Sequence, residues 1–308
     1  MDEELNVTYI TLGGLVEVHK HRYLYFMIIF IAYVLIICSN TTIVYLIWIH
    51  QNLHEPMYIF IAALLINSVL YSTNIYPKLL MDILSEKQII SYQACLCQYY
   101  MFYSLGGSEF SLLSAMAYDR YVSIFKPLQY PTIMRKTTVC IILALAWLFP
   151  ACHFVSTVTM SANQKLCHFT LRVILCNNAI YKLHCVSSRA IYIFGVFNLL
   201  NVALIPVLFI IFTYTKIFII TYRSSKEVRK KAAETCLPHL LVVINYSLLS
   251  TYNVIIVRLE SDIPTIALLI MTLQGVIYNP LFNPIIYGLK MREISKHLKR
   301  LLSRDTMN

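Results

Sequence analysis

The chain has 308 residues, of which 58% are hydrophobic and only 13% charged, with a mean hydropathy of +0.66. Soluble domains carry about 25% charged residues, so this inventory cannot build a water-facing surface, and a soluble globular protein is excluded. The 25 Lys and Arg against 15 Asp and Glu leave a net charge of +10, which suits nucleic acid, an anionic membrane surface or a sided membrane protein.

A helix needs roughly 20 apolar residues to cross the ~30 Å hydrocarbon core. Windows without Asp, Glu, Lys or Arg run over residues 23–52, 56–77, 88–108, 137–164, 190–215, 235–257 and 263–289. Glu109 cuts the third, but the apolar pattern resumes from Phe110 to Tyr118. Spans are therefore expected at about 24–49, 57–79, 95–124, 138–158, 191–215, 236–257 and 264–287, with a lid at 159–190 and a tail at 288–308. The expected fold is an all-α integral membrane protein, a single seven-transmembrane helix bundle over 1–308. No connector is long enough for a second domain. The chain shows no long internal repeat and no pair of similarly broken segments, which weakens an inverted-repeat transporter.

Positive charge in short loops marks the cytoplasmic side. With the N-terminus extracellular and the C-terminus cytoplasmic, 16 basic and 6 acidic residues lie inside, against 9 and 8 outside, with Glu109 at membrane depth. The net charge thus collects on the inner loops and tail, and no single domain or stripe offers a nucleic-acid footprint. No small-residue cleavage site follows a short apolar core in the first 22 residues, so the first span is expected to act as the insertion signal. Asn6-Val7-Thr8 is a glycosylation acceptor on the outer side.

Four of the nine cysteines, Cys95, Cys167, Cys176 and Cys185, fall in outer segments or at their edge. An oxidising compartment favours disulfides there. Three pairings are open; Cys95 to Cys176 with Cys167 to Cys185 would pin the lid over the bundle. Cys167-His168 and His184-Cys185 also offer four zinc ligands, a reading that external oxidation disfavours.

At the inner end of the third span stands Met116-Ala117-Tyr118-Asp119-Arg120-Tyr121, followed by Lys126-Pro127-Leu128-Gln129-Tyr130. Together with Leu53-His54-Glu55-Pro56-Met57-Tyr58, Lys231-Ala232-Ala233-Glu234-Thr235-Cys236-Leu237-Pro238-His239 and Asn283-Pro284-Ile285-Ile286-Tyr287, this run resembles the rhodopsin-class G-protein-coupled receptors, and among them the odorant receptors. Asn40 and Trp147 fall in the matching first and fourth helices, and the resemblance covers nearly the whole chain. It also supports the disulfide pairing above.

The resemblance implies a relay in which a small odorant, bound in the outer half of the bundle, moves helices so that the inner face accepts a heterotrimeric G protein, expected to have an olfactory-type stimulatory alpha subunit. Arg120 would be the switch, held by Asp119 and flanked by Tyr121, with Tyr214, His239 and Tyr287 joining a hydrogen-bond network. Pro284 removes a backbone donor beside Asn283 and permits a kink. The expected location is the plasma membrane or cilia of a sensory neuron, within a lipid bilayer. No cofactor and no enzymatic activity is implied.

Glu109 is the costliest residue in the chain, since a lone carboxylate at membrane depth costs at least about 2.5 kcal/mol. The helix-two position that carries a sodium-binding Asp in many rhodopsin-class receptors is Ser68 here, beside Asn67. Odorant receptors resembling this chain carry a helix-three Glu, so Glu109 with Asn40, Ser68, Asn279 and Asn283 forms a candidate polar pocket for sodium, water or a proton.

The candidate ligand site takes Phe102, Tyr103, Gly106 and Gly107 from the third span, where the glycines leave space. Asn198 of the fifth span and Tyr246, Leu249, Ser250 and Asn253 of the sixth face them, with Asn177 and Asn178 as roof. A transporter or channel for a small polar solute is the rival, but it needs a polar file across the membrane, and Glu109 is the one acidic residue deep in a span. Gly106-Gly107-Ser108 offers a serine for an intramembrane protease, but no partner histidine is spaced to activate it.

Overall fold

A computed structural model of the chain describes residues 8–15, 21–186, 188–222, 224–259 and 264–305. Asn6 lies outside these residues, and so does the side chain of Asn253, whose backbone is helical. The long helices are α1 (Arg22–Ile49), α2 (Pro56–Leu84), α3 (Tyr92–Phe125), α5 (Lys136–Ala162), α6 (Arg189–Leu199) continued by α7 (Ile205–Tyr222), α8 (Lys226–Leu259) and α9 (Thr265–Lys290). A short α4 (Tyr130–Ile133) precedes α5, and α10 (Arg292–Asp305) follows α9. With α6 and α7 joined through the π-helical turn Leu200–Leu204, seven membrane-length helices form the bundle.

Five of these, Arg22–Ile49, Pro56–Leu84, Lys136–Ala162, Arg189–Tyr222 and Ile266–Lys290, are apolar and long enough to cross a membrane on composition alone. α3 is less apolar because it is the central helix, packed against α2, α5, α7 and α8, and its polar residues face inward. Large apolar side chains such as Trp48, Leu148, Phe218 and Leu248 stand exposed on the outside of the bundle. In water this would be an aggregation hazard; in hydrocarbon it is the solvated surface.

The helices overrun the charge-free windows. α8 begins at Lys226, ten residues before the expected start at 236, and α2 runs on to Leu84. A window without charge marks the part within hydrocarbon, whereas the backbone hydrogen bonds continue into water. The tail contains α10, whose Ile294 and His297 are buried while Lys296, Lys299 and Arg300 are exposed. That amphipathic spacing is present in the sequence but is too polar for a hydropathy scan.

Proline and asparagine join the helices at defined points. Pro284 cannot donate to the carbonyl of Pro280, one turn earlier, and Asn40 of α1 donates to that oxygen instead at 2.9 Å. Asn67 donates to Leu105 O at 3.0 Å and accepts from Trp147 Nε1 at 3.2 Å, tying α2 to α3 and α5. The π turn ends two residues before Pro206, which lacks an N–H, so the extra residue absorbs the missing bond.

One end of the bundle is closed by a lid. Cys95 on α3 is bonded to Cys176, and Cys167 to Cys185. The second bond removes both thiolates that a zinc site would need. The N-terminal strand β1 (Tyr9–Leu12) lies between β2 (Ile89–Ser91), antiparallel, and β3 (Thr170–Leu171), parallel. Its Ile10 and Leu12 pack with Leu171, Ile180 and Leu183 into a core of their own. This three-stranded sheet was not expected from the sequence: its segments are two to four residues long and far apart, so no periodicity announces them.

Candidate functional site

A cavity of about 540 Å³ lies beneath the lid among α3, α5, α6, α8 and α9. Phe102, Tyr103, Gly106, Gly107, Asn177, Asn178, Asn198, Tyr246, Leu249 and Ser250 all line it. Aromatic rings form much of the wall: Phe102 meets Tyr103 edge-on at 5.0 Å, Tyr71 lies 5.2 Å from Phe102, and Phe154 lies 5.5 Å from Tyr103. Among the described residues no Asp, Glu, Lys or Arg side chain lines the space.

The two glycines act differently from the expectation that both leave open room. A Cβ on Gly107 would fall 2.3 Å from Val202 Cγ1 and 2.8 Å from Pro150 Cβ, so its missing side chain lets α3 approach the π turn and α5. Gly106 faces Tyr246, whose hydroxyl donates to the Gly106 carbonyl at 2.6 Å and would sit 3.3 Å from a Cβ there. Asn198 lines the cavity, but its amide is directed to α5: Nδ2 donates to Thr157 Oγ1 at 2.9 Å and Oδ1 meets His153 Nδ1 at 3.1 Å.

The roof is fastened to α3 by polar contacts. Asn177 caps the 3-10 turn Asn178–Leu183 by accepting from the Ala179 N–H at 2.9 Å. Asn178 N–H donates to Tyr103 OH at 3.1 Å, and the Asn178 side-chain oxygen accepts from Tyr99 OH at 3.2 Å. Tyr99 and Tyr181 share a hydrogen bond of 2.6 Å. His184 Nε2 lies 3.3 Å from Tyr92 OH, which itself donates to Ser161 O, so the imidazole N–H points at Tyr92. Burial pushes the His184 pKa below its ordinary 6.5, leaving the ring neutral. Tyr99, Tyr181 and His184 were missed by the sequence reading. Tyr99 sits one helical turn before Tyr103 and was readable; the lid residues depend on loop geometry and were not.

Deeper in the bundle, Glu109 accepts from Asn279 Nδ2 at 2.8 Å and Asn283 Nδ2 at 2.9 Å, and Asn283 Nδ2 also lies 3.2 Å from Ser68 Oγ. Four of the five expected members of this polar pocket are therefore together. Asn40 is engaged with backbone carbonyls of α1 and α9, and no hydrogen bond joins it to Glu109. The side-chain oxygens of Asn279 and Asn283 are buried without a partner among the described residues, which leaves acceptor capacity beside the carboxylate for a water or a small cation.

At the end away from the lid, Asp119 and Arg120 form an ion pair, with Arg120 Nε donating at 3.0 Å. The other Asp119 oxygen accepts from Tyr130 OH of α4 at 2.7 Å. Burial and the nearby carboxylate raise the Tyr130 pKa, so the phenol keeps its proton and donates. Tyr214 OH lies 2.5 Å from His239 Nδ1, joining α7 to α8. Tyr287 is fully buried and directs its hydroxyl to Met116 Sδ at 3.9 Å. Tyr121 is stacked on Phe125 at 4.2 Å and packs with it against the core. Tyr130, quoted in the inner motif but given no role from sequence, is thus the residue that completes the Asp119 site.

The family model described as olfactory receptor matches residues 29–305. Similar human proteins include olfactory receptor 13C2 (Homo sapiens), 33% identical over 95% of this chain and 94% of its own length. Olfactory receptor 2T27 (Homo sapiens) is 32% identical over 94% and 92%, and olfactory receptor 4E1 (Homo sapiens) 33% identical over 97% and 94%. With a seven-helix bundle, a cavity under a cross-linked lid and this match along nearly its full length, the chain belongs to the olfactory receptor family.

Proposed function

We propose that the odorant binds in the cavity beneath the lid and that its binding shifts α8 and α9 relative to α3, releasing the Asp119–Arg120 end to engage a G protein. As an olfactory receptor the chain is a multi-pass membrane protein that takes odorants as ligands and couples to a G protein. It is a receptor and not an enzyme, and the transporter or channel reading falls with the family assignment.

The observation that carries the ligand site is the Tyr246–Gly106 bond: a cavity-lining side chain of α8 is held to the backbone of α3. An occupant that displaces Tyr246 therefore acts on both helices at once. The finer assignments in this reading are an extracellular lid and N-terminus, supported by the basic inner loops, glycosylation at Asn6, an olfactory-type stimulatory alpha subunit, and residence in sensory neurons or their cilia. Arg120 is the switch in this reading because its charge is fixed while its partners can change. Glu109, Ser68, Asn279 and Asn283 form the polar pocket, where the unpartnered amide oxygens support a bound water or sodium ion.

Cells expressing the receptor with the olfactory-type stimulatory subunit, exposed to an odorant panel and read as cyclic AMP, test this function. Dose-dependent cyclic AMP that disappears without the alpha subunit is expected; responses independent of that subunit would contradict the coupling.

A further inference from the structure

The cavity's polar groups are not evenly available. Asn198, Tyr246, Thr272 and Asn279 line it with donors that are directed to Thr157, Gly106, Leu268 and Glu109. The roof differs. Asn177 uses its side-chain oxygen on the Ala179 N–H, and Asn178 uses its own on Tyr99 OH. Among the described residues neither amide nitrogen has an acceptor. Tyr103 OH accepts from the Asn178 N–H, so its proton also remains to be given. Three donors without an acceptor among the described residues thus belong to cavity-lining residues where α3 meets the lid, while the wall carries the rings of Phe102, Phe154 and Tyr246.

We propose that the odorant is an uncharged molecule with a carbonyl-type acceptor, a ketone, ester, lactone or aldehyde, held by Tyr103, Asn177 and Asn178, with its carbon skeleton against Phe102, Phe154 and Tyr246. This rests on the cavity being the odorant site. A carboxylate would find donors but no cation, and an ammonium would find rings but no anion, so either ion would lose its water without a compensating charge. An alcohol oxygen can accept from the cluster as a carbonyl does, but it also carries a proton that needs an acceptor, which these three donors do not supply.

The test uses the full receptor in cells, with surface level measured for every variant. The probes are two matched sets: acetophenone, 1-phenylethanol, ethylbenzene, 1-phenylethylamine and benzoate; and cyclohexyl methyl ketone, 1-cyclohexylethanol, ethylcyclohexane, 1-cyclohexylethylamine and cyclohexanecarboxylate. In at least one set the ketone is expected to be more potent than the hydrocarbon by about tenfold or more, with the alcohol between them and both ions inactive. One hydrogen bond is worth about five- to tenfold. Tyr103→Phe should reduce the ketone-to-hydrocarbon ratio by that factor, and Asn178→Ser should do the same if Tyr103→Phe lowers surface level. An ion as the most potent member, equal potency of ketone and hydrocarbon, or no response from a receptor present at the surface overturns the proposal. Ser250→Leu, which narrows the cavity, separates the two readings. If responses survive it unchanged, the cavity is not the ligand site; if they vanish in this variant while the parent receptor's potency order differs from that expected, only the carbonyl inference fails.

Discussion

Tyr246 donates to the Gly106 carbonyl oxygen at 2.6 Å while its ring lies 4.6 Å from that of Phe110. The hydroxyl and the ring thus hold α8 against α3 by separate means. Tyr246→Phe removes the hydrogen bond and keeps the packing. A net hydrogen bond is worth about 1 kcal/mol, or roughly fivefold in a two-state population. Ligand-free cyclic AMP is expected to rise by up to that factor, normalised to surface level. A basal signal at or below that of the parent would show that the bond does not restrain the receptor.

At the other end, Asp119 has an Arg120 partner on one oxygen and Tyr130 on the other. Tyr130→Phe leaves a buried carboxylate oxygen without its donor, which costs about 1–3 kcal/mol. The purified receptor in nanodiscs should melt several degrees lower. An unchanged midpoint would mean that water replaces the phenol at no cost.

The two disulfides should differ in weight. The Cys95–Cys176 bond closes 81 residues and anchors the lid to α3, whereas Cys167–Cys185 closes 18 residues within the lid. Loop-closure entropy gives about 4.5 and about 3 kcal/mol respectively. Paired serine substitution of Cys95 and Cys176 is expected to abolish odorant response; substitution of Cys167 and Cys185 should weaken it while leaving it measurable. The reverse order of severity would contradict the lid's attachment.

His184 supplies a pH dependence. Its folded pKa lies below its unfolded value of about 6.5, so the unfolded chain takes up the proton first as pH falls. No penalty exists above pH 6.5, and lid stability is lost progressively below it. Odorant potency should therefore be flat from pH 8 to 7 and decline towards pH 5.5, with His184→Gln flattening the decline. An equal decline in the variant would place the titrating group elsewhere.

The bundle was legible because membrane spans are written in long charge-free runs, and the family motifs because they occur in order along those runs. Phe102, Tyr103 and Gly106 could be placed on one face of α3 by helical spacing alone. The lid could not be read that way. Tyr181 and His184 reach the cavity through a 3-10 turn and a disulfide loop, and β1 reaches the lid from about 80 residues away from β2 and 160 from β3. The polar pocket expected from the sequence includes Asn40. Its actual partner is a carbonyl left open by Pro284, which only the packing of α1 on α9 reveals. Gly107 likewise reads as space in one dimension and as a close approach to Val202 and Pro150 in three.

The site of odorant binding is tested most directly by potency across paired substitutions. Phe102→Ala and Ser250→Leu alter the cavity wall, while Leu148→Ala and Leu248→Ala alter the outward surface of α5 and α8. With an active odorant and matched surface levels, the concentration giving half-maximal cyclic AMP should shift by about tenfold or more for the cavity pair. It should stay within about twofold for the outward pair. Equal shifts in both pairs, or none in the cavity pair, would contradict odorant binding beneath the lid.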